Sequence, residues 1–160
     1  MATSRQPTLI ADAGLSGTLA TLTTTAAVMA LGRQRDESAW APLNAVSHIL
    51  WGDEAAAHTE PSLAYTASGA ALNAGAMLSW GVVYAALVRT APRRSPAAAL
   101  GMGLATAALA YVTDYYIVPR RLTPGFEKRL SGGELAIIYG ALAVGLAAGS
   151  VLSETAGESR

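Results

Sequence analysis

The chain has 160 residues, of which 52% are hydrophobic, and its 11 basic and 11 acidic residues leave no net charge. A neutral chain has no long-range field to attract a nucleic-acid backbone, so we exclude nucleic acid as a partner. It contains no cysteine, which excludes disulfides, thiolate nucleophiles and cysteine-based metal or cluster sites.

Four apolar segments follow one another along the chain, and each has the ~20 residues that a helix needs to cross a bilayer. They occupy 9–31, 62–88, 96–118 and 134–153. Abundant alanine and 16 glycines suit close helix packing in lipid better than a soluble core. The sequence therefore predicts an all-α fold: a four-transmembrane-helix bundle that forms a single integral membrane domain over 1–160.

The first apolar segment has an alternative interpretation as a cleaved signal peptide. Arg5 precedes it, and Val28-Met29-Ala30 has the small residues of a cleavage site. The apolar run is, however, longer than the ~7–15 residues of a signal peptide. We expect a retained first span.

The connection at 33–61 is too long for a structureless loop. Within 40–51, Leu43, Val46 and Leu50 recur at helical spacing, while Asn44 and His48 fall on the opposite face. Twelve residues cannot span a bilayer, so this pattern predicts a short interfacial or re-entrant helix between spans one and two.

Small residues recur every fourth position on two of the spans. Span two has Ala67, Ala71, Gly75 and Ser79, and span four has Ala141, Gly145, Gly149 and Ser153. Smooth faces of this kind let helix backbones approach closely in lipid. We expect Gly75, Ser79, Gly145 and Gly149 to lie at helix contacts, within the chain or with a second copy.

With four spans, the connections at 33–61 and 119–133 emerge on the same side, which we call the aromatic-rich side. Eight of the ten aromatic residues lie there or in the adjoining helix ends: Trp40, Trp51, Tyr65, Tyr111, Tyr115, Tyr116, Phe126 and Tyr139. An interfacial belt alone would populate both faces, so we expect a structured cap. Six basic residues on this side against five on the other give almost no orienting signal.

Asp114 lies one turn before the end of span three, and a carboxylate inside a membrane is costly enough to need a reason. One interpretation is a proton- or cation-handling group beside Tyr115. The other is a structural ion pair with Arg120 or Arg121. Asn73, near the middle of span two, either lines a polar path or bonds another helix.

A metal site is a weaker candidate. Glu54 and His58 stand four residues apart, so a helix would place both on one face, and His48 precedes them. The interval between the two histidines matches no zinc pattern, and a solvated acidic loop with an interfacial histidine explains these residues better.

The stretches NAVSHILWGDEAAAH (44–58) and DYYIVPRRLTPGFEKRLS (114–131) resemble segments of small multi-span bacterial inner-membrane proteins of uncharacterised function. The resemblance covers about a fifth of the chain and implies no activity. It implies a multi-pass protein of the inner (cytoplasmic) membrane, and a first connection that works together with the basic second one.

Taken together, these patterns predict a non-enzymatic membrane protein, active in small-solute passage or as an accessory or scaffold subunit. Its expected partners are the lipid bilayer and a second copy or another membrane protein, and we expect no cofactor. The alternative is a membrane-embedded enzyme or metal-binding protein that uses His48 and Asp114. The candidate polar cluster comprises Asn44, His48, Asp114, Tyr115, Arg120 and Arg121.

Overall fold

The protein is described by a computed structural model that covers residues 8–90 and 95–158, with side chains to residue 156. Its α-helices are α1 (Leu9–Asp36), α2 (Ala41–Val46), α3 (His48–Trp51), α4 (Ser68–Val88), α5 (Pro96–Val112) and α6 (Gly132–Glu158). π-helical turns at Leu63–Ala67 and Thr113–Ile117 extend α4 and α5, and 3-10 turns occupy Asp53–Ala57, Arg120–Leu122 and Phe126–Lys128. The described residues contain no strand, which confirms the predicted all-α fold.

Four helical segments are long and apolar enough to span a membrane: Leu9–Asp36, Leu63–Val88, Pro96–Ile117 and Gly132–Ala156. Local sequence sets several of their ends. Thr8 and Ser95 accept hydrogen bonds from the backbone of the first turns of α1 and α5. Before α6, the Ser131 N–H and the Ser131 hydroxyl both donate to Glu134 Oε2 over 2.6 Å, which is half of a capping box.

Helices α1 and α6 form the centre of the bundle. α1 packs along α6 and α4, and α5 packs on the other side of α6, while α4 and α5 meet over a shorter length. A Cβ added to Gly145 would lie 2.5 Å from Ala20 Cα, and one added to Gly149 would lie 2.7 Å from the Ser16 nitrogen. Both glycines therefore lie where the backbones of α1 and α6 almost touch.

The small-residue face predicted on span two is wrong as a contact within the chain. Gly75 and Ser79 are exposed, and a Cβ on Gly75 would meet no atom within 4 Å. Helix α4 instead packs on α1 through Gly81, where a Cβ would lie 2.9 Å from Gly17 Cα. Gly75 and Gly81 lie on different faces of α4. The face with Gly81 packs on α1, where Gly17 allows the two backbones to approach.

The segment 40–51 is two short helices rather than one. They meet at Ser47, whose hydroxyl donates to the Asn44 carbonyl over 2.7 Å. Both the apolar Leu43 and Val46 and the polar Asn44 and His48 are buried, because α2 packs between α1, α4 and the 126–128 turn. Its placement at a membrane surface stays a prediction.

Candidate functional site

The two connections of the aromatic-rich side fold against each other through helix α2. Asn44 is fully buried, and its amide nitrogen donates to the carbonyl oxygens of His58 and Glu60 over 2.9 and 3.0 Å. Its amide oxygen accepts a 2.6 Å hydrogen bond from the Thr66 hydroxyl. Asn44 therefore fixes the path of the first connection as it enters span two, which is a structural role.

The second connection reaches α2 at Gly125. This residue has φ +84°, a left-handed conformation that favours glycine, and a Cβ on it would lie 2.5 Å from the Ala45 carbonyl oxygen. The close approach buries the neighbouring Phe126 against Leu43 and Val46 of α2. The two stretches that carried the sequence resemblance thus form one packed cap.

His48 is buried inside this cap. Its Nδ1 lies 2.9 Å from the Ala45 carbonyl oxygen, so Nδ1 carries the proton that this bond requires, and the buried Nε2 has no partner among the described residues. Gly125 covers the Nδ1 edge of the ring. His48 packs within the cap and is not one of the described residues that line the cavity below it.

A partly enclosed cavity of about 110 Å³ lies between this cap and the helices. Its apolar lining comes from α2, α3, α4, α6 and the second connection. Four polar residues contribute to the lining as well, and they come from α1, α4, the π-turn after α5, and α6: Thr24, Asn73, Asp114 and Tyr139. The cavity is only partly enclosed, and its lining includes two residues with exposed surface, Ala76 and Leu122.

Asp114 is the one charged residue among the described residues of this lining. The π-turn Thr113–Ile117 carries it, and single π-turns in helices frequently occur at functional sites. Its Oδ2 accepts a 2.6 Å hydrogen bond from the Tyr139 hydroxyl of α6. The expected ion pair with Arg120 or Arg121 is wrong: within residues 8–90 and 95–156, no basic side chain lies within 4 Å of the Asp114 carboxylate.

The physical reason is the course of the chain after Asp114. Pro119 ends the helix in extended backbone, so Arg120 and Arg121 continue away from Asp114 as an exposed 3-10 turn. Neither arginine forms an ion pair with another described residue. The candidate polar cluster is therefore divided between a buried cap, a cavity wall and a solvated edge.

Tyr115 lies beside the cavity wall rather than in it. Its hydroxyl donates to Glu127 over 3.3 Å, and Thr123 donates to the same carboxylate over 2.8 Å. Its ring is 5.1 Å from that of Tyr111 and 6.2 Å from that of Tyr139. This cluster joins the end of α5 to α6 and to the second connection.

The metal ligands proposed from the sequence are not assembled. Among the described residues, no three histidine, aspartate or glutamate side chains lie close enough together to hold a metal ion. The His58 ring stacks on Tyr65, with 4.0 Å between ring centroids, and His48 is enclosed within the cap. Glu54 lies exposed in the 53–57 turn.

Two ion pairs join the second connection to the first connection and to the end of α1. Lys128 donates to Asp53 over 2.7 Å, and this hydrogen bond with the lysine charge lowers the pKa of the Asp53 carboxyl below its usual value. Arg129 pairs with Asp36 at the end of α1 over 3.6 Å. The second connection is thus fastened at two points.

Sequence reasoning missed Thr24 and Tyr139 as cavity residues. Thr24 belongs to a threonine-rich stretch of α1 with no distinguishing neighbour. Tyr139 lies two turns after the start of α6, and Asp114 lies in the last turn of the preceding span. Because these two helices are antiparallel, both residues lie at a similar distance from the second connection, and the sequence could have indicated their contact. Asn73 donates to Thr25 of α1 over 3.3 Å, which is the predicted bond to another helix, and it also lines the cavity; a polar path along it stays a prediction.

Comparisons of the chain with protein-family models, with curated protein sequences and with solved structures find no match. The site is therefore interpreted from its own geometry.

Proposed function

We propose that this chain is a non-enzymatic, multi-pass protein of a bacterial inner membrane that admits a small solute to the cavity beneath its cap. The observation that carries the proposal is the cavity itself, with walls from three spanning helices and the π-turn of the fourth, and with Asp114 facing it. Cavities inside helical bundles are common ligand sites.

The size of the cavity sets the class of solute. Pockets for drug-sized ligands enclose about 300–1,000 Å³, whereas an engineered cavity of about 150 Å³ holds benzene. A volume of about 110 Å³ therefore suits several waters or a molecule of a few heavy atoms. A lipid headgroup would not fit.

The alternative of a membrane-embedded enzyme required His48 and Asp114 to converge on one cavity. His48 faces the Ala45 carbonyl instead, so the described lining joins the Asp114 carboxylate to the Tyr139 hydroxyl without a histidine. These features favour binding and passage over catalysis. An accessory or scaffold role would use the exposed face of α4 that holds Gly75 and Ser79, offered to a second copy or another membrane protein.

Substituted-cysteine labelling tests the proposal, because the chain has no native cysteine to react in the background. We expect Met77→Cys, which faces the cavity, to react with a small water-soluble methanethiosulfonate in membranes. Val82→Cys is the matched control, since Val82 lies on the same helix and is 52% exposed on its outer surface. Equal, slow reaction of both cysteines would contradict a water-accessible cavity.

A further inference from the structure

The cavity offers hydrogen-bond acceptors and almost no donors. The Tyr139 hydroxyl donates to Asp114, and the Thr24 hydroxyl donates to the Ala20 carbonyl over 2.7 Å. Asn73 donates one amide hydrogen to Thr25. Apart from the second amide hydrogen of Asn73, these donors already have partners inside the protein, so acceptor lone pairs are the main polar feature left for a ligand.

The free acceptors have a common partner chemistry. Asp114 Oδ1 and the Asn73 amide oxygen accept no hydrogen bond from a described residue, and no lysine, arginine or histidine is among the described lining residues. A carboxylate among neutral acceptors attracts a positively charged donor and repels an anion. A neutral acceptor such as a ketone would find almost no donor here.

The walls distinguish an organic cation from a metal ion. Ten of the fourteen described lining residues are apolar, including Leu72, Met77, Phe126, Ile138 and Leu142. Hard metal cations bind where about six or more oxygen ligands surround them, whereas this lining offers one carboxylate and one amide among ten apolar residues. An alkylammonium ion matches both parts, with its charge at Asp114 and its tail against the hydrocarbon.

We infer that the cavity binds a small primary alkylammonium ion, with Asp114 and Asn73 accepting from the ammonium group. This inference rests on the proposed function, since it names the class of solute that the cavity admits. The volume limits the tail to roughly three or four carbons, by comparison with the benzene-sized cavity of about 150 Å³.

Ligand-observed NMR on the purified full chain in nanodiscs tests the inference with a matched series: propylammonium, 1-propanol, propionate and potassium. We expect propylammonium to bind at least tenfold more tightly than 1-propanol, and propionate not to bind. In Asp114→Asn the amide oxygen can still accept from Tyr139, so the fold is retained. The variant should bind propylammonium and 1-propanol within threefold of each other.

Glu127→Gln is the matched control for charge. This carboxylate accepts from Tyr115 and Thr123 close to the site but is not among the described lining residues, so the ammonium preference should persist. Three results would overturn the ligand class while leaving a solute-binding cavity. The unmodified chain could bind propylammonium and 1-propanol equally, the preference for propylammonium could survive in Asp114→Asn, or potassium could bind more tightly than propylammonium. No binding of any probe, together with an unreactive Met77→Cys, would overturn the cavity function as well.

Discussion

Replacing Gly145 by alanine should disrupt the central contact of the bundle. The new Cβ would lie 2.5 Å from Ala20 Cα and even closer to the Thr23 hydroxyl oxygen. Ordinary contacts begin near 3.4 Å, so α1 and α6 must separate by roughly 1 Å in a tightly packed interior. The same shift breaks the 2.8 Å hydrogen bond that Thr23 donates to the Ala141 carbonyl.

The magnitude follows from these two losses. Overpacking of a close helix contact costs about 1–3 kcal/mol, and an interhelical hydrogen bond in a membrane contributes about 0.6 kcal/mol. We therefore expect Gly145→Ala to lower the free energy of unfolding by about 2–3 kcal/mol. Gly75→Ala should leave it unchanged or raise it, because Gly75 has open space around it and alanine is the better helix former.

Unfolding in mixed micelles by titration with sodium dodecyl sulfate, followed by tryptophan fluorescence, measures both variants against the parent chain. The comparison between two glycines of similar spacing on two spans removes the general effect of adding a methyl group. If Gly145→Ala and Gly75→Ala differ by less than about 0.5 kcal/mol, which is within the range of ordinary surface substitutions, the close approach of α1 and α6 is refuted.

Three further predictions concern the cavity wall and the cap. Tyr139→Phe should lower the free energy of unfolding by about 1–2 kcal/mol through loss of its bond to Asp114, and it should cost less than about 0.5 kcal/mol in an Asp114→Ala background, in the same micelle titration. Asn44→Ala removes three hydrogen bonds, to the His58 and Glu60 carbonyl oxygens and from the Thr66 hydroxyl, so it should cost about 2–3 kcal/mol and speed hydrogen exchange over 58–66, as mass spectrometry can record. Asp53 should titrate below the ~3.9 of a free aspartate by carboxyl NMR, and Lys128→Gln should raise its midpoint. Because the folded pKa is the lower one, the ion pair contributes its full stability above pH ~3.9 and loses it as the pH falls through the folded value.

The four long helices were predictable because lipid allows few kinds of backbone structure. A chain that crosses a bilayer must satisfy every backbone group internally, so length and apolarity almost determine a spanning helix. The predicted start of span two at 62 and the observed start at Leu63 differ by a single residue.

The tertiary partners were not predictable from local pattern. Gly75 and Gly145 both belong to faces on which small residues recur every fourth position. Only Gly145 meets another helix, at Ala20 of α1, and the sequence of its own span does not reveal that partner. Asp114 has two arginines within seven residues, yet its partner is Tyr139, 25 residues away. Pro119 turns the arginines outward, and the approach of α5 to α6 brings the tyrosine in.

The sequence predicted on which side of the bundle the cap lies, but not how the cap is packed. The asymmetric aromatic residues indicated one structured side, but the pattern at 40–51 suggested a helix with one apolar and one polar face. In the structure the polar Asn44 is buried together with Leu43 and Val46, because it finds three hydrogen-bond partners in the segment that follows it, whereas Leu50 of the apolar face is exposed. The sequence shows which side chains are polar. It does not show whether a later segment supplies the hydrogen-bond partners that allow a polar side chain to be buried.

The most direct test of a solute cavity that opens beneath the cap is the sidedness of labelling at Met77→Cys in sealed vesicles. Glu54→Cys and Thr90→Cys, which lie in the connection and at the opposite end of α4, report which face a membrane-impermeant reagent reaches. We predict that Met77→Cys reacts when the reagent is on the face of residue 54, at a rate above that from the face of residue 90. Reaction from the face of residue 90 alone, or from neither, would contradict the proposed site.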